Sequence, residues 1–151
     1  MKKIIIISLL LGTALFAKIK VGENFPTLTL VDQFNTKIEV KKEGTTKLIL
    51  SFEKDVSSAI KDFLDTKEKN YLANNNIIYI SDISSIPSFL VSLFALPKMK
   101  KFDFRIALIY DKKESKVLVR EKEKITLVSI KDNNITSIEF VNPTELATKL
   151  K

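Results

Sequence analysis

The order of apolar segments between residues 46 and 111 places the strongest constraint on the fold of this chain. Two apolar runs of strand length, TKLILSF (46–52) and NIIYIS (76–81), are separated by a segment in which apolar residues recur at helical spacing (55–72). A second helical segment, PSFLVSLFAL (87–96), precedes another strand-like run, RIALIYD (105–111). Strands that alternate with helices indicate an α/β fold, with a mixed β-sheet flanked by helices.

Further strand-like segments lie on both sides of this alternating region. TLTLV (27–31) and TKIEV (36–40) flank the polar turn DQFN and predict an N-terminal β-hairpin. Three more runs predict strands joined by polar turns: KVLVRE (116–121), KITLVSI (124–130) and NITSIEF (134–140).

Proline and capping residues set the expected helix limits. The helix of residues 87–96 is predicted to stop before Pro97, because proline disfavours a helical conformation in the residue before it. At the C-terminus, Asn142 as the cap, Pro143 at the first helical position and Glu145 in a capping box predict a final helix.

The N-terminus, MKKIIIISLLLGTALFA, has the layout of a secretory signal peptide. Two lysines precede a short apolar run (4–11), and small residues follow up to Ala17. The run is shorter than a membrane span requires, and no second one follows. We therefore predict a signal peptide at 1–17, a mature domain at 18–151, a periplasmic location and no integral membrane segment after cleavage. Cleavage after Ala14 also fits the pattern, and an uncleaved anchor is the alternative.

Composition excludes several kinds of chemistry. The chain contains no Cys and no His, which excludes disulfides, thiol catalysis, thiolate metal sites and a histidine base. Its three glycines do not form a phosphate-binding loop, and its acidic residues near the first helix fit a solvated face better than a metal site. We expect no cofactor and no metal. The formal charge of +7, lowered by two lysines to +5 on cleavage, fits solubility or weak attraction to anionic surfaces, and not a nucleic-acid partner.

The segment VGENFPTLTLVDQFNTKIEV, followed by TKLILSF, resembles the opening of the thioredoxin-like redoxin families. The residues that carry this resemblance are Val21, Gly22, Pro26, Leu30, Asp32 and Phe52. It implies a thioredoxin-like mixed sheet flanked by helices, with an N-terminal β-hairpin. A further resemblance, through YISDISSIPSFLVSLFALPKMKKF, is to cysteine-poor thioredoxin-like proteins secreted by Gram-negative bacteria.

The resemblance also identifies where a redox centre would stand. Thioredoxin-like enzymes carry the nucleophilic Cys about five residues after that Phe, where the helix N-terminus stabilises the thiolate. The equivalent position here is Ser57, and the second Cys position is Ile60. The family's cis-proline before the third strand has no counterpart, since residues 102–105 stand there. The resemblance therefore implies the fold without redox or peroxidase activity.

A serine hydrolase is an alternative reading of the same helix. Ser58 and Lys61 match S-x-x-K, the acylating motif of penicillin-binding proteins, but the companion K-T-G is absent. No base for Ser57 or Ser58 is evident. Helix-capping serines and a solvated lysine are the simpler interpretation, so no catalytic residue is predicted.

Two surface features remain. The second helix is apolar on nearly every side, so it is expected to be buried all round in the core, or else to leave a patch that binds a partner or dimerises. The residues of that candidate interaction surface are Phe89, Leu90, Leu93 and Phe94. Asn134, in a D-x-N-x-T sequence, is either a glycosylation acceptor or part of a plain turn.

Together, these observations predict an exported, non-catalytic thioredoxin-like binding or assembly protein. Its expected partner is an unidentified protein or a second copy of the chain. The alternatives are a periplasmic hydrolase that uses Ser57 or Ser58 and a structural protein associated with the cell envelope.

Overall fold

A mixed β-sheet of seven strands forms the centre of the protein. The strands are β1 (Leu30–Asp32), β2 (Lys37–Ile38), β3 (Thr45–Ser51), β4 (Ile77–Asp82), β5 (Ala107–Ile109), β6 (Ile125–Lys131) and β7 (Asn134–Val141). Their order across the sheet is β2-β1-β5-β4-β3-β6-β7. The β3–β4 and β4–β5 pairs are parallel, and the other four strand pairs are antiparallel. The structure is a computed structural model that describes residues 17–150, so the predicted signal peptide lies almost entirely outside the described residues.

Short helices connect these strands. They are α1 (Lys54–Asp65), α2 (Tyr71–Asn74), α3 (Ser88–Leu90), a π-helical turn (Val91–Ala95), α4 (Leu96–Met99), α5 (Lys112–Val117), a 3-10 turn (Pro143–Glu145) and α6 (Leu146–Lys149). The predicted N-terminal hairpin is confirmed, since β1 and β2 pair antiparallel. The predicted C-terminal helix is also confirmed, and Glu145 Oε2 accepts the Asn142 backbone N–H at 3.2 Å.

The second predicted helix does not end before Pro97. Residues 88–99, which we call the apolar helix, form one continuous helical segment through α3, the π turn and α4. A proline ring collides with the carbonyl four residues earlier in a regular α-helix. The π turn widens the backbone there, because the Leu96 N–H donates to Val91 O, five residues back. The prediction was wrong because a local π turn accommodates the ring.

Two other boundaries differ from the sequence prediction. The segment 55–72 is divided: α1 ends at Asp65, and a polar turn separates it from α2. The predicted strand KVLVRE (116–121) is absent from the described sheet, and its first two residues belong to helix α5 (Lys112–Val117). Asp111 caps the start of this helix by accepting the Lys113 N–H at 2.7 Å.

Two apolar layers lie on opposite faces of the sheet. On one face, α1, α6 and the apolar helix pack on strand residues, with α1 contributing Val56, Ile60 and Leu64. On the other face, the N-terminal segment contributes Ile19 and Phe25, and Leu118 follows α5. Helices thus cover both faces, as the α/β prediction requires.

Candidate functional site

The junction between β3 and α1 is the place where the resemblance puts a reactive thiol. Helix α1 begins at Lys54 with Glu53 at the capping position, and the Glu53 side chain makes no cap. Its carboxylate instead accepts the Glu123 backbone N–H at 2.8 Å from the loop before β6. Ser57 and Ser58 lie inside the helix and donate to the carbonyls of Glu53 and Lys54, at 2.9 and 3.0 Å. The predicted capping role of these serines is therefore wrong, since each bonds back to the preceding turn.

A chain of hydroxyl groups runs from Ser57 into the core. Ser57 Oγ lies 2.9 Å from Ser51 Oγ, which lies 3.0 Å from the Tyr79 hydroxyl. Ser51 and Tyr79 are fully buried. Burial raises the pKa of the Tyr79 phenol, and hydrogen bonds to Ser51, Ser57 and Ser81 oppose that rise only in part. The phenol is neutral at physiological pH, so this chain satisfies buried polar groups without supplying a base.

The position of the second redox cysteine is part of the core. Ile60 is 0% exposed and packs with Val56 and Leu64 on the inner side of α1. The resemblance placed Ile60 at the second cysteine position, and in the structure its side chain packs in the core.

The lysine of the S-x-x-K pair interacts with an acidic residue of the same helix. Lys61 forms an ion pair with Asp65 one turn further along the helix, and its ammonium lies 5.2 Å from the centre of the Phe102 ring. The hydrogen bond to Asp65 raises the pKa of Lys61. A lysine that acts as a general base needs a lowered pKa, so this pair lacks the required electrostatics.

The segment that faces the start of α1 differs from the one expected for the cis-proline. Strand β6, not β5, lies beside β3, so the loop at residues 121–124 adjoins α1 and residues 102–105 do not occupy that place.

Arg120, just before the loop at residues 121–124, stacks its guanidinium 4.1 Å from the centre of the Phe52 ring. It also donates to Ser115 Oγ at 2.7 Å, and Ser115 donates to the Asp82 carboxylate at 2.5 Å. No proline stands at this loop, and residues 17–150 contain no cis peptide bond.

Residues 104–106 are instead fixed by two buried side chains, Asp32 at the end of β1 and Gln33 at the start of the hairpin turn. Gln33 donates to Phe104 O at 2.8 Å and accepts the Ile106 N–H at 2.9 Å. Asp32 forms an ion pair with Arg105, at 2.7 Å. Sequence reasoning used Asp32 only as a motif residue and missed Gln33, although two polar residues directly after an apolar strand were a usable signal.

The charge of Asp32 is stabilised in the folded protein. Burial alone would raise the pKa of Asp32, but the Thr36 N–H, Arg105 and the Phe34 N–H together lower it below its ordinary value. The Asp32 carboxylate accepts the Thr36 and Phe34 amides at 2.7 and 2.9 Å. The turn is thus built around an ionised carboxylate.

The apolar helix exposes large side chains that were expected in the core. Phe89, Leu93 and Phe94 are 62%, 65% and 67% exposed, and Ile86 just before the helix is also exposed. We call these four residues the apolar patch. Leu90 is half-buried, and Val91 is the only fully buried residue of the helix. The prediction that this helix is buried all round was wrong, because the sheet face accommodates only the side that carries Val91, Ala95, Leu96 and Met99.

Asn134 opens strand β7 after a tight turn. Asp132 and Asn133 both have positive φ, at 48° and 66°, as a two-residue hairpin turn requires. The Asn134 side-chain nitrogen donates to Gly22 O at 2.8 Å. Glycosylation of Asn134 stays a prediction.

Neither a metal-binding cluster nor a membrane-spanning helix is found in residues 17–150. Within that range, no group of three or more acidic side chains is arranged to hold a metal ion. The same range has no helix that is both long enough and apolar enough to span a bilayer.

Comparison with known proteins supports the fold. No protein-family model matches the sequence, and neither does any curated protein. Similar solved structures include a peroxiredoxin-like protein from Aquifex aeolicus, with a TM-score of 0.52, 16% identity and coverage of 88% of this chain and 86% of that chain. A thio-disulfide isomerase from Thermus thermophilus aligns with a TM-score of 0.53, 14% identity and coverage of 87% and 95%. A thiol:disulfide interchange protein from Bacteroides sp. aligns with a TM-score of 0.53, 13% identity and coverage of 86% and 88%.

The protein therefore has a thioredoxin-like fold, as predicted. At these identities the likeness concerns the fold alone. The chain has no cysteine, so it lacks the side chain on which thiol–disulfide exchange depends.

Proposed function

We propose that this protein is an exported, non-catalytic binding or assembly module that uses a thioredoxin-like fold as a scaffold. The apolar patch is its interaction surface, and the partner is another protein or a second copy of the chain. The observation that carries this proposal is the exposure of Phe89, Leu93 and Phe94 on one helix. Exposed apolar side chains grouped in this way mark interaction sites more often than chance, because their hydration is unfavourable.

The energetic capacity of the patch fits a stable contact. Each large apolar side chain that moves from water into an interface contributes about 1.5–3 kcal/mol. Three such residues on one helix can act as a central cluster, the arrangement in which a few aromatic or aliphatic residues dominate binding.

The triple variant Phe89→Ser, Leu93→Ser, Phe94→Ser tests the proposal directly. Wild-type protein should self-associate in light scattering or co-purify with a defined partner from its host, and the triple variant should do neither. Phe34→Ser is the matched control, because Phe34 is an exposed aromatic residue on the β1–β2 turn, outside the patch. A wild-type protein that stays monomeric at high concentration, binds no apolar dye and has no patch-dependent partner would contradict the proposal.

Export remains a separate part of the proposal. It rests on the N-terminal pattern of lysines, apolar residues and small residues. Cell fractionation with intact mass measurement tests it: periplasmic protein that begins at Lys18 is expected, whereas full-length cytoplasmic protein would refute export.

The two alternatives lead to different measurements. A serine hydrolase is not favoured by the pairing of Lys61 with Asp65, and we expect no acylation by a labelled penicillin. Acylation that is lost in Ser58→Ala would establish the enzyme. Association with the envelope that disappears at high salt would favour a structural role driven by positive charge.

A further inference from the structure

A gap in the sheet lies beside the first half of β4. Strand β4 has six residues, but β5 has three and pairs with β4 only from Ile80 to Asp82. On its other side, β4 pairs with β3 from Ile77 onward. Among residues 17–150, no strand therefore pairs with residues 77–79 on the β5 side.

The backbone groups of β4 point into this gap. The Ile83 N–H donates to Ile109 O at 3.1 Å, which shows that Ile83 faces β5. In a parallel ladder, the N–H and C=O of alternate residues point to the same side. Ile77 and Tyr79 therefore direct their backbone groups towards the side where β5 has not yet begun.

A cavity of about 580 Å³ opens against this free strand edge. We call it the β4 groove. Its apolar lining includes Leu72, Ile77, Tyr79 and Phe104, which offer contacts to a side chain of a bound segment.

The charged residues that line the β4 groove are mainly basic. Four cations, Lys37, Lys41, Lys69 and Arg105, line it against two acids, Glu39 and Asp103. Lys37 pairs with Glu39, while Arg105 pairs with Asp32 outside the lining set. Lys41 and Lys69 form no ion pair within the described residues, and neither does the lining acid Asp103, so the groove carries a net positive charge.

We propose that the β4 groove binds a short extended peptide that adds to the free edge of β4, with a carboxylate directed at Lys41 and Lys69. Strand addition of this kind gains affinity from main-chain hydrogen bonds and specificity from alternate side chains. The groove and the free edge fit a main chain, and the charge selects an acidic one. The proposal is independent of the apolar patch, since the groove lies at the start of β4 and the patch follows its end.

Peptide titration by fluorescence anisotropy tests the chemistry of the ligand. The probe is a short labelled peptide of alternating Val and Thr with Glu at both ends. A version with Lys at both ends should bind about tenfold more weakly, because it meets the basic rim. A version with Pro at the centre should also lose binding, because it cannot donate a ladder hydrogen bond. Equal binding of all three peptides, or of none, would overturn the proposal.

Hydrogen exchange locates the bound segment. The Ile77 and Tyr79 amides lack a strand partner on the β5 side, so their exchange should become slower when the Glu-ended peptide is present. Protection confined to other residues would overturn strand addition. Protection of these amides without peptide, together with a dimer in light scattering, would identify a second copy as the occupant and overturn the peptide proposal.

Matched variants separate the groove from the rest of the surface. Ala73 is exposed and lines the groove, so Ala73→Trp should fill it and weaken peptide binding at least tenfold. Ala147→Trp on α6 is the control, because Ala147 is exposed outside the groove.

Charge variants test the basic residues of the groove. Lys41→Glu with Lys69→Glu should weaken binding of the Glu-ended peptide, whereas Lys113→Glu with Lys122→Glu should not. Binding that survives Ala73→Trp, or that is lost in Phe89→Ser, would place the peptide elsewhere.

Discussion

Helix α1 and the apolar helix cover the same face of the sheet, yet they expose opposite kinds of surface. Helix α1 buries Val56, Ile60 and Leu64 and presents charged residues to solvent. The apolar helix buries Val91 and leaves Phe89, Leu93 and Phe94 largely exposed. Helix α1 therefore buries its apolar side and exposes its charged side within the monomer. The apolar helix carries more apolar surface than the monomer buries.

This difference contrasts the region where thioredoxin-like enzymes carry out chemistry with the region that this protein leaves exposed. In a thioredoxin-like enzyme, the start of α1 is where chemistry occurs. Here that junction contains a hydroxyl chain that runs into the core and a buried isoleucine. The apolar helix is the region whose surface the isolated fold does not explain, which supports a function based on binding.

Loss of packing on α1 should produce the largest effect. Ile60→Ala is expected to reduce the free energy of unfolding by about 3–4 kcal/mol, because a fully buried side chain leaves a cavity. Urea denaturation measures the change. Ile60→Val, which removes one methyl group, should cost about 1 kcal/mol and shows whether the site is close-packed. If Ile60→Ala left the free energy of unfolding unchanged, α1 would be no better packed than the apolar helix, and the contrast between the two helices would be wrong.

The Asp32–Arg105 pair should give the next largest effect, and it should depend on pH. Asp32→Asn is expected to cost about 2 kcal/mol at neutral pH, the range for hydrogen bonds to a charged group. Burial opposes the ionised form, but the surrounding donors lower the folded pKa of Asp32 below its unfolded value. The stabilisation is therefore complete above an unfolded pKa of about 4 and is lost as pH falls through the folded pKa.

Stability curves of wild type and Asp32→Asn across pH check this prediction. The difference between the two proteins should narrow as the pH falls below about 4. A constant difference would show that the carboxylate charge contributes nothing. The result sharpens the comparison, because Asp32 anchors the segment whose Phe104 packs beside the α1 layer.

The hydroxyl chain should have a smaller effect. Tyr79→Phe removes the phenol that bonds Ser51 and is expected to cost about 1 kcal/mol. Tyr110→Phe is the control, since Tyr110 is exposed and its loss should be neutral. Urea denaturation measures both variants, and equal effects of Tyr79→Phe and Tyr110→Phe would show that the hydroxyl chain does not stabilise the fold.

The apolar patch should have the smallest effect on the stability of the monomer. Leu93→Ala is expected to change the free energy of unfolding by no more than about 0.5 kcal/mol, as for most surface substitutions. Apolar dye binding should fall in the same variant. A cost similar to that of Ile60→Ala would show that Leu93 is buried in solution and would remove the difference between the two helices.

Sequence patterns predicted much of the sheet but less of the helical layer. TKLILSF and NIIYIS became the adjacent parallel strands β3 and β4, because continuous apolar runs of that length require burial on both sides. KVLVRE was read as a strand, although helix α5 includes its first two residues. Pro97 was read as a helix end, because the π turn that accommodates it has no sequence signal of its own.

Two aspects of the candidate site were predictable from the sequence: the absence of Cys and His, and the positions that correspond to the redox cysteines. Ser57 and Ile60 follow from counting along the chain, while the roles of Gln33 and Glu53 depend on partners 71 and 70 residues away. Such contacts exist only after the sheet has assembled.

The sequence by itself determined that this protein has no thiol or imidazole, that its strands and helices alternate, and that a hairpin precedes them. The tertiary structure decided which apolar residues face solvent and where β4 lacks a neighbour. The physical reason is that a local pattern records how much apolar surface a segment carries, whereas burial depends on the area that the rest of the fold offers to cover it.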